Sequence, residues 1–200
     1  MSHAEASGAC GFDFGTSNSA LGYVAANSVK LVEFADGKLT APTAVFFDDD
    51  EKHDFIGEEA KERYIAGDNG RYLRALKSLL GTSLFDEKTV VMGKKVPFAS
   101  IVSGFVERLK KTAETQAKAP LDKVVVGRPV FFFESNPDKD QKAENSLREC
   151  FKTAGFKSVE FQYEPLAAAF DFERSLQKEA LALIVDIGGG TSDFSRPQHN

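Results

Sequence analysis

The chain has 200 residues, with 25 Lys and Arg against 30 Asp and Glu, for a formal net charge of −5. At about 150 residues per domain this is one to two domains, and a chain of this size buries roughly 70% of its unfolded surface without staples. With 42% hydrophobic and 28% charged residues, it is neither disordered, nor collagen-like, nor a disulfide-built scaffold. No apolar run approaches the roughly 18 residues of a membrane helix. The acidic balance argues against a general nucleic-acid binder, which needs basic patches.

Residues 1–9 are small and polar, show no signal pattern and read as a disordered tail. Alternation predicts strands over 10–14, 20–26 and 29–34. Asp36-Gly37 is a tight-turn signal, and 43–47 is a fourth strand closed by the acidic run from Asp48 to Glu51, read as a solvated turn. Helices are expected over 56–66 and over 72–80, the second ending at Gly81. Phe98, Ile101, Val102, Phe105 and Leu109 fall at helical spacing, so the clearest amphipathic helix runs over 98–119, and Pro120 stops it. A buried strand over 124–126 follows. Phe131, Phe132 and Phe133 read as core packing, 135–140 as a surface insertion, and 139–154 as a polar helix ended by Gly155. A strand over 159–163, a helix over 165–177 and a strand over 181–187 complete the series. Hairpin strands followed by strands alternating with helices predict an α/β fold with a mixed sheet. Cys10 and Cys150 have no metal-ligand spacing and read as reduced thiols; His3, His53 and His199 share no ligand pattern either.

Two constellations carry chemistry. In the first, a strand ends at Asp13 and Phe14, and Gly15, Thr16, Ser17 and Asn18 turn the chain. Small residues there free backbone N–H groups to converge on an anion, the hydroxyls add donors, and Asp13 suits a hydrated divalent cation. An ordinary hairpin turn explains this motif equally well when it is taken alone. In the second, Asp186 is followed by Gly188, Gly189, Gly190 and Thr191, which repeats the pattern of apolar strand, Asp, glycines and hydroxyl. Three consecutive glycines carry a large entropic cost, so close backbone approach is their natural reason. Neither spacing is a Walker A loop or a Rossmann fingerprint.

Both motifs resemble the two phosphate loops of the actin, hexokinase and heat-shock-chaperone ATPase superfamily. Tyr163-Glu164-Pro165-Leu166-Ala167-Ala168-Ala169 resembles its connecting motif, and Lys77-Ser78-Leu79-Leu80-Gly81 resembles the lysine segment of DnaK-type chaperones. The stretches 40–47 and 56–60 also match the pattern. Val126-Gly127-Arg128-Pro129 and Phe161-Gln162-Tyr163-Glu164-Pro165 look most like a divergent bacterial branch, the YegD type.

The resemblance implies the first lobe of an actin-like, ribonuclease H-like ATPase over 10–195, with a small inserted subdomain around 40–119 and ligands ATP or ADP with Mg. It makes Lys77, Glu164, Asp13 and Asp186 the catalytic set. Asp13 and Asp186 would position Mg through water. Gly15, Thr16, Ser17 and Asn18 would hold the β- and γ-phosphates, and Gly188, Gly189, Gly190 and Thr191 would close from the other side. Lys77 would neutralise charge near the γ-phosphate, while Glu164 would order metal-bound water. Without the resemblance, Lys77 reads as an exposed helix charge. The family's relay proline matches Pro129, but its relay arginine falls near Glu144 or Lys142, a departure. The implied setting is cytoplasmic, with unfolded clients and co-chaperones as partners and neither nucleic acid nor membrane.

Three other readings stand beside this one. An MreB-type filament protein shares both loops but is not expected to carry the Lys77 segment. A sugar or acid kinase shares the fold. A fragment without activity is the third, because the adenosine pocket belongs to a second lobe expected after residue 200. Residues 196–200 do not continue the strand expected after Phe194, so weak or no ATP binding is expected of this chain.

Overall fold

The computed structural model describes residues 8–25, 28–173, 184–187 and 192–195. Along the chain come β1 (Ala9–Phe14), β2 (Asn18–Ala25), β3 (Ser28–Leu31), β4 (Ala41–Pro42), β5 (Ala44–Asp48) and β6 (Asp54–Ile56). Next are α1 (Gly57–Ala66), β7 (Gly70–Arg74), β8 (Lys88–Val91), β9 (Lys94–Pro97) and α2 (Phe98–Ala117). Then follow β10 (Lys123–Arg128), α3 (Pro137–Thr153), β11 (Ser158–Tyr163), α4 (Glu164–Glu173), β12 (Ile184–Ile187) and β13 (Ser192–Ser195).

The main sheet has the order β11-β10-β1-β2-β3, with β4 added on β2. β1, β10 and β11 are parallel, whereas β2 is antiparallel to β1, β3 and β4. Strand alternation gives the sheet one core face, where Cys10, Phe12, Phe14, Val124 and Val126 are buried while Val125 is exposed. α2 buries Phe98, Ile101, Val102, Phe105, Val106 and Leu109, a helical stripe wide enough to cover that face. α3, polar by composition, is amphipathic in fact and buries Ala143, Leu147, Cys150 and Phe151. Aromatic rings knit the layers together: Phe12 and Phe151 lie 4.9 Å apart edge-on, Phe14 and Phe105 6.3 Å, and Phe151 and Phe156 5.7 Å. Cys10 and Cys150 are free and buried, and burial pushes their thiols up to about 12 and about 11.

The segment 40–119 builds a second, three-stranded sheet of order β6-β5-β7, which carries α1 over a small core of Phe46, Phe55, Ala60 and Tyr72. The acidic run is a turn organised by Asp48, whose Oδ1 accepts the amides of Asp50 and Glu51 at 2.8 Å each. The helix expected over 72–80 does not form. Residues Gly70–Arg74 pair with β5 instead, Ala75 takes φ 55°, and Leu76–Leu79 make one 3-10 turn. Pairing with the buried β5 outweighs local helical spacing there. Gly81 ends no helix: it sits at φ 74°, and a Cβ on it would lie 2.6 Å from the Phe133 ring and 2.7 Å from the Lys139 carbonyl.

Other expectations also need correction. The expected tail is ordered from residue 8: Lys123 N donates to Gly8 O at 3.0 Å, and Ala9 pairs with Lys123. Phe131 is 52% exposed, although Phe132 and Phe133 pack on the core. The stretch 135–140 begins α3, where Asn136 Oδ1 accepts the Lys139 amide at 3.0 Å as an N-cap and Pro137 follows it. The hairpin of β8 and β9, turning through Met92 and Gly93 at positive φ, was not expected.

The C-terminal end of β10 is fastened to α3 by Arg128. Its guanidinium donates to Asp140 at 2.9 Å, to Glu144, and to the Pro129 and Val130 carbonyls at 3.0 and 3.2 Å. Asp140 Oδ1 accepts the Phe132 amide at 2.5 Å. Glu144 also pairs with Arg148 at 3.0 Å.

Phe151→Ala removes the ring shared by Phe12, Phe14 and Phe156, and should cost about 3–5 kcal/mol in urea unfolding; a loss under about 1 kcal/mol would contradict this packing. Burial alone would raise the Asp140 carboxyl, but Arg128 and the Phe132 and Phe133 amides outweigh it and hold the carboxyl below its ordinary value. The unfolded chain therefore binds this proton at higher pH than the native one. The stabilisation is present above the ordinary carboxylate pKa of about 3.9 and is lost as pH falls through the lower native value. Asp140→Asn should lower stability at neutral pH and flatten the acid limb below about pH 4. An unchanged acid limb in pH-dependent unfolding would contradict it.

Candidate functional site

The parallel strands β1, β10 and β11 end together, because their register pairs Phe12 with Val126 and Val126 with Phe161. Phe14, Arg128 and Tyr163 are the carboxyl ends, Asp13 is the last residue but one of β1, and Glu164 follows as the first residue of α4. In α/β sheets this edge is where ligands sit.

Lys77 reaches this edge from the segment 40–119. The left-handed Ala75 turns the chain inward after β7, and the 3-10 turn buries Leu76 and Lys77. Lys77 Nζ donates to Glu164 Oε1 at 2.6 Å, with the side chains 7% and 17% exposed. The reading of Lys77 as an exposed helix charge is thereby corrected: it is buried, and its element is a single 3-10 turn instead of the expected longer helix. An ammonium so shielded requires an anion beside it, and Glu164 provides one. Gly127 makes room for this. A Cβ there would lie 3.2 Å from Glu164 Cγ and 3.8 Å from the Phe12 carbonyl.

The β1–β2 turn lies at the same edge. Phe14 and Ser19 form its last ladder pair, and Gly15 to Asn18 make the reversal. A Cβ on Gly15 would stand 2.2 Å from the Asn18 carbonyl oxygen, so this tight turn requires glycine. Thr43, buried between β4 and β5, holds the turn from behind. Thr43 Oγ1 donates to Gly15 O at 2.9 Å and is 2.9 Å from Ser19 Oγ, while Thr43 N donates to Ser17 O at 2.9 Å. Sequence reasoning did not single Thr43 out as a site residue; its one signal was its place in the family-like stretch 40–47. Asp13, Ser17 and Asn18 are exposed and Thr16 is half-buried.

The structure thus brings Asp13, the Gly15–Asn18 turn, Lys77 and Glu164 to one sheet edge. Gly188, Gly189, Gly190 and Thr191 lie outside the described residues. Asp186 stands in β12, in register with Asp193 of β13. Of the two residues near the expected relay position, Glu144 pairs with Arg128 and Arg148, and Lys142 donates to Asp86 at 2.5 Å.

A family model described as Hsp70 protein matches residues 9–103 and 86–196. Similar proteins include the chaperone protein DnaK of Psychrobacter cryohalolentis, 28% identical over 92% of this chain and 30% of the relative. DnaK of Mycoplasmopsis agalactiae is 33% identical over 92% of this chain and 29% of its own length. DnaK of Ureaplasma parvum serovar 3 is 30% identical over 92% and 28%. The chain therefore spans less than a third of the length of these curated relatives. Together, the family match along nearly the whole chain and an α/β lobe whose mixed sheet is flanked by helices, as in an actin-like ATPase, establish that the chain belongs to the Hsp70 family.

Proposed function

We propose that this chain supplies the phosphate-gripping half of an ATP site in a DnaK-type chaperone of the YegD-like branch. Residues 10–195 are the first lobe in this reading, 40–119 its inserted subdomain, and 1–9 and 196–200 its flanks. The observation that carries it is the buried Lys77–Glu164 pair at the carboxyl edge that also holds the Gly15 turn. The lysine and the turn amides offer positive charge to the β- and γ-phosphates from two sides, and a site pre-set in this way needs little reorganisation when charge shifts in phosphoryl transfer.

Among the described residues no group of three or more His, Cys, Asp or Glu forms a metal cage. The two carboxylates of Asp13 and Asp186 suit Mg, which keeps its waters and takes one or two carboxylates with phosphate oxygens. Asp13 and Asp186 would hold it through water, and it would supply charge neutralisation on the phosphates. Glu164 orients Lys77 and accepts hydrogen bonds from water at that edge. Gly188, Gly189, Gly190 and Thr191 close the phosphates from the other side. Adenosine is held by a second lobe, clients and co-chaperones engage the whole protein, and the setting is cytoplasmic. Among the described residues no helix is long and apolar enough to cross a membrane.

The test is a titration of the isotopically labelled chain by amide NMR, with MgATP and adenosine in parallel. MgATP should shift the amides of Gly15 to Asn18, Lys77 and Glu164 with millimolar rather than micromolar affinity, and adenosine should shift none of them. Lys77→Ala should weaken the MgATP response severalfold. Micromolar binding would contradict the division of the site into two halves. No shift at those amides up to on the order of 10 mM would overturn the reading.

A further inference from the structure

We infer that Thr43 is a positioning residue for the phosphate turn: it sets the direction in which the turn's amides face. The inference rests on the phosphate-site reading above.

Thr43 is buried, and both its hydroxyl and its amide are committed to the turn. The turn backbone leaves it two acceptors, Gly15 O at 2.9 Å from Oγ1 and Ser17 O at 2.9 Å from the amide nitrogen. Because Thr43 Oγ1 spends its single proton on Gly15 O, Ser19 Oγ must donate to Thr43 Oγ1 across their 2.9 Å contact. The three groups form one directed chain, Ser19 to Thr43 to Gly15, with no hydroxyl left idle in a buried place.

Peptide planarity does the rest. In a trans peptide the carbonyl of one residue and the N–H of the next point in opposite directions. Drawing Gly15 C=O toward Thr43 therefore turns the Thr16 N–H away from it. Drawing Ser17 C=O toward Thr43 does the same to the Asn18 N–H. Two amides separated by one residue then face the side opposite Thr43, which is how a backbone nest presents itself to an anion. The turn is tight at that end, where a Cβ on Gly15 would lie 2.2 Å from the Asn18 carbonyl oxygen.

Thr43 also joins two units. It follows β4, which pairs with β2, and precedes β5, the central strand of the small sheet that ends in β7 and leads to Lys77. The same residue therefore fixes the turn and begins the segment that delivers the lysine.

The experiment compares wild type with Thr43→Val, which keeps the β-branched shape without the hydroxyl, and with Thr43→Ser, which keeps the hydroxyl. Thermal unfolding checks that all three are folded. In the MgATP titration, Thr43→Val should bind about tenfold more weakly and Thr43→Ser within about threefold of wild type. Equal affinity in folded wild type and Thr43→Val overturns the inference, and so does failure of Thr43→Ser to restore it. A second readout needs no ligand: Thr43→Val should shift the Gly15 carbonyl carbon resonance and speed hydrogen exchange at Thr16 and Asn18, with Thr43→Ser reverting both. If wild type shows no response to MgATP, the phosphate-site reading fails, and the ligand-free readout alone judges Thr43. Unchanged carbonyl shifts and exchange in Thr43→Val then overturn its positioning role.

Discussion

The contact between Lys77 and Glu164 is the constraint on which the rest of this edge depends. A buried ammonium and a nearly buried carboxylate, 87 residues apart, meet at 2.6 Å. Lys77 without a carboxylate beside it would be a buried unpaired ammonium, which costs about 3–5 kcal/mol. Four separate features must therefore agree. β7 must pair with β5 rather than coil into a helix, Ala75 must reverse the chain, Gly127 must leave its side-chain space empty, and α4 must begin where β11 ends. None of these has a strong local reason. Together they bring the ammonium and the carboxylate into contact.

The pair also bears on how the edge stands before any ligand arrives. Glu164 already accepts a hydrogen bond from the lysine at 2.6 Å, so the ammonium has a partner within the protein. On the proposed reading, phosphate oxygens enter as further acceptors for a three-donor ammonium instead of rescuing an orphaned one. Positive charge stays in place without a basic surface, which agrees with a chain of net charge −5. The turn contributes in the same way through backbone N–H groups, which carry partial positive charge at any pH.

Much of this could be read from residue order. Alternation at Cys10, Phe12 and Phe14, and the stripe from Phe98 to Leu109, marked β1 and α2 because one face of each is buried and the other is not. Asp36-Gly37 marked a turn, and both residues do take positive φ. The family-like motifs pointed to Lys77 and Glu164. The failures have one cause in common. The strand over Gly70–Arg74 exists because β5 offers it a buried edge, and Thr43 acts on Gly15 across 28 positions. Lys77 looked like a surface charge because its burial depends on Glu164, 87 residues away. Long-range partners leave no periodic trace in a sequence, and they decide the chemistry here.

Arg128 shows the same principle with the charges exchanged. The resemblance implies a relay arginine after the proline, at a position that falls near Glu144 or Lys142 in this chain. The guanidinium arrives instead from the strand before Pro129, and Arg148 braces the same carboxylate from one helical turn on. An ion pair between loop and helix depends on having opposite charges at a fixed separation; it is indifferent to which backbone carries which sign. Arg128 adds carbonyl contacts to Pro129 and Val130, which a carboxylate at residue 128 could not make. Arg128 thereby binds the proline's own backbone into the network. Residue 128 is paired with Tyr163, the neighbour of Glu164, so the network begins one residue from the edge that holds the Lys77–Glu164 pair. The network ties the sheet end to α3, with the guanidinium on the sheet side and both carboxylates on the helix.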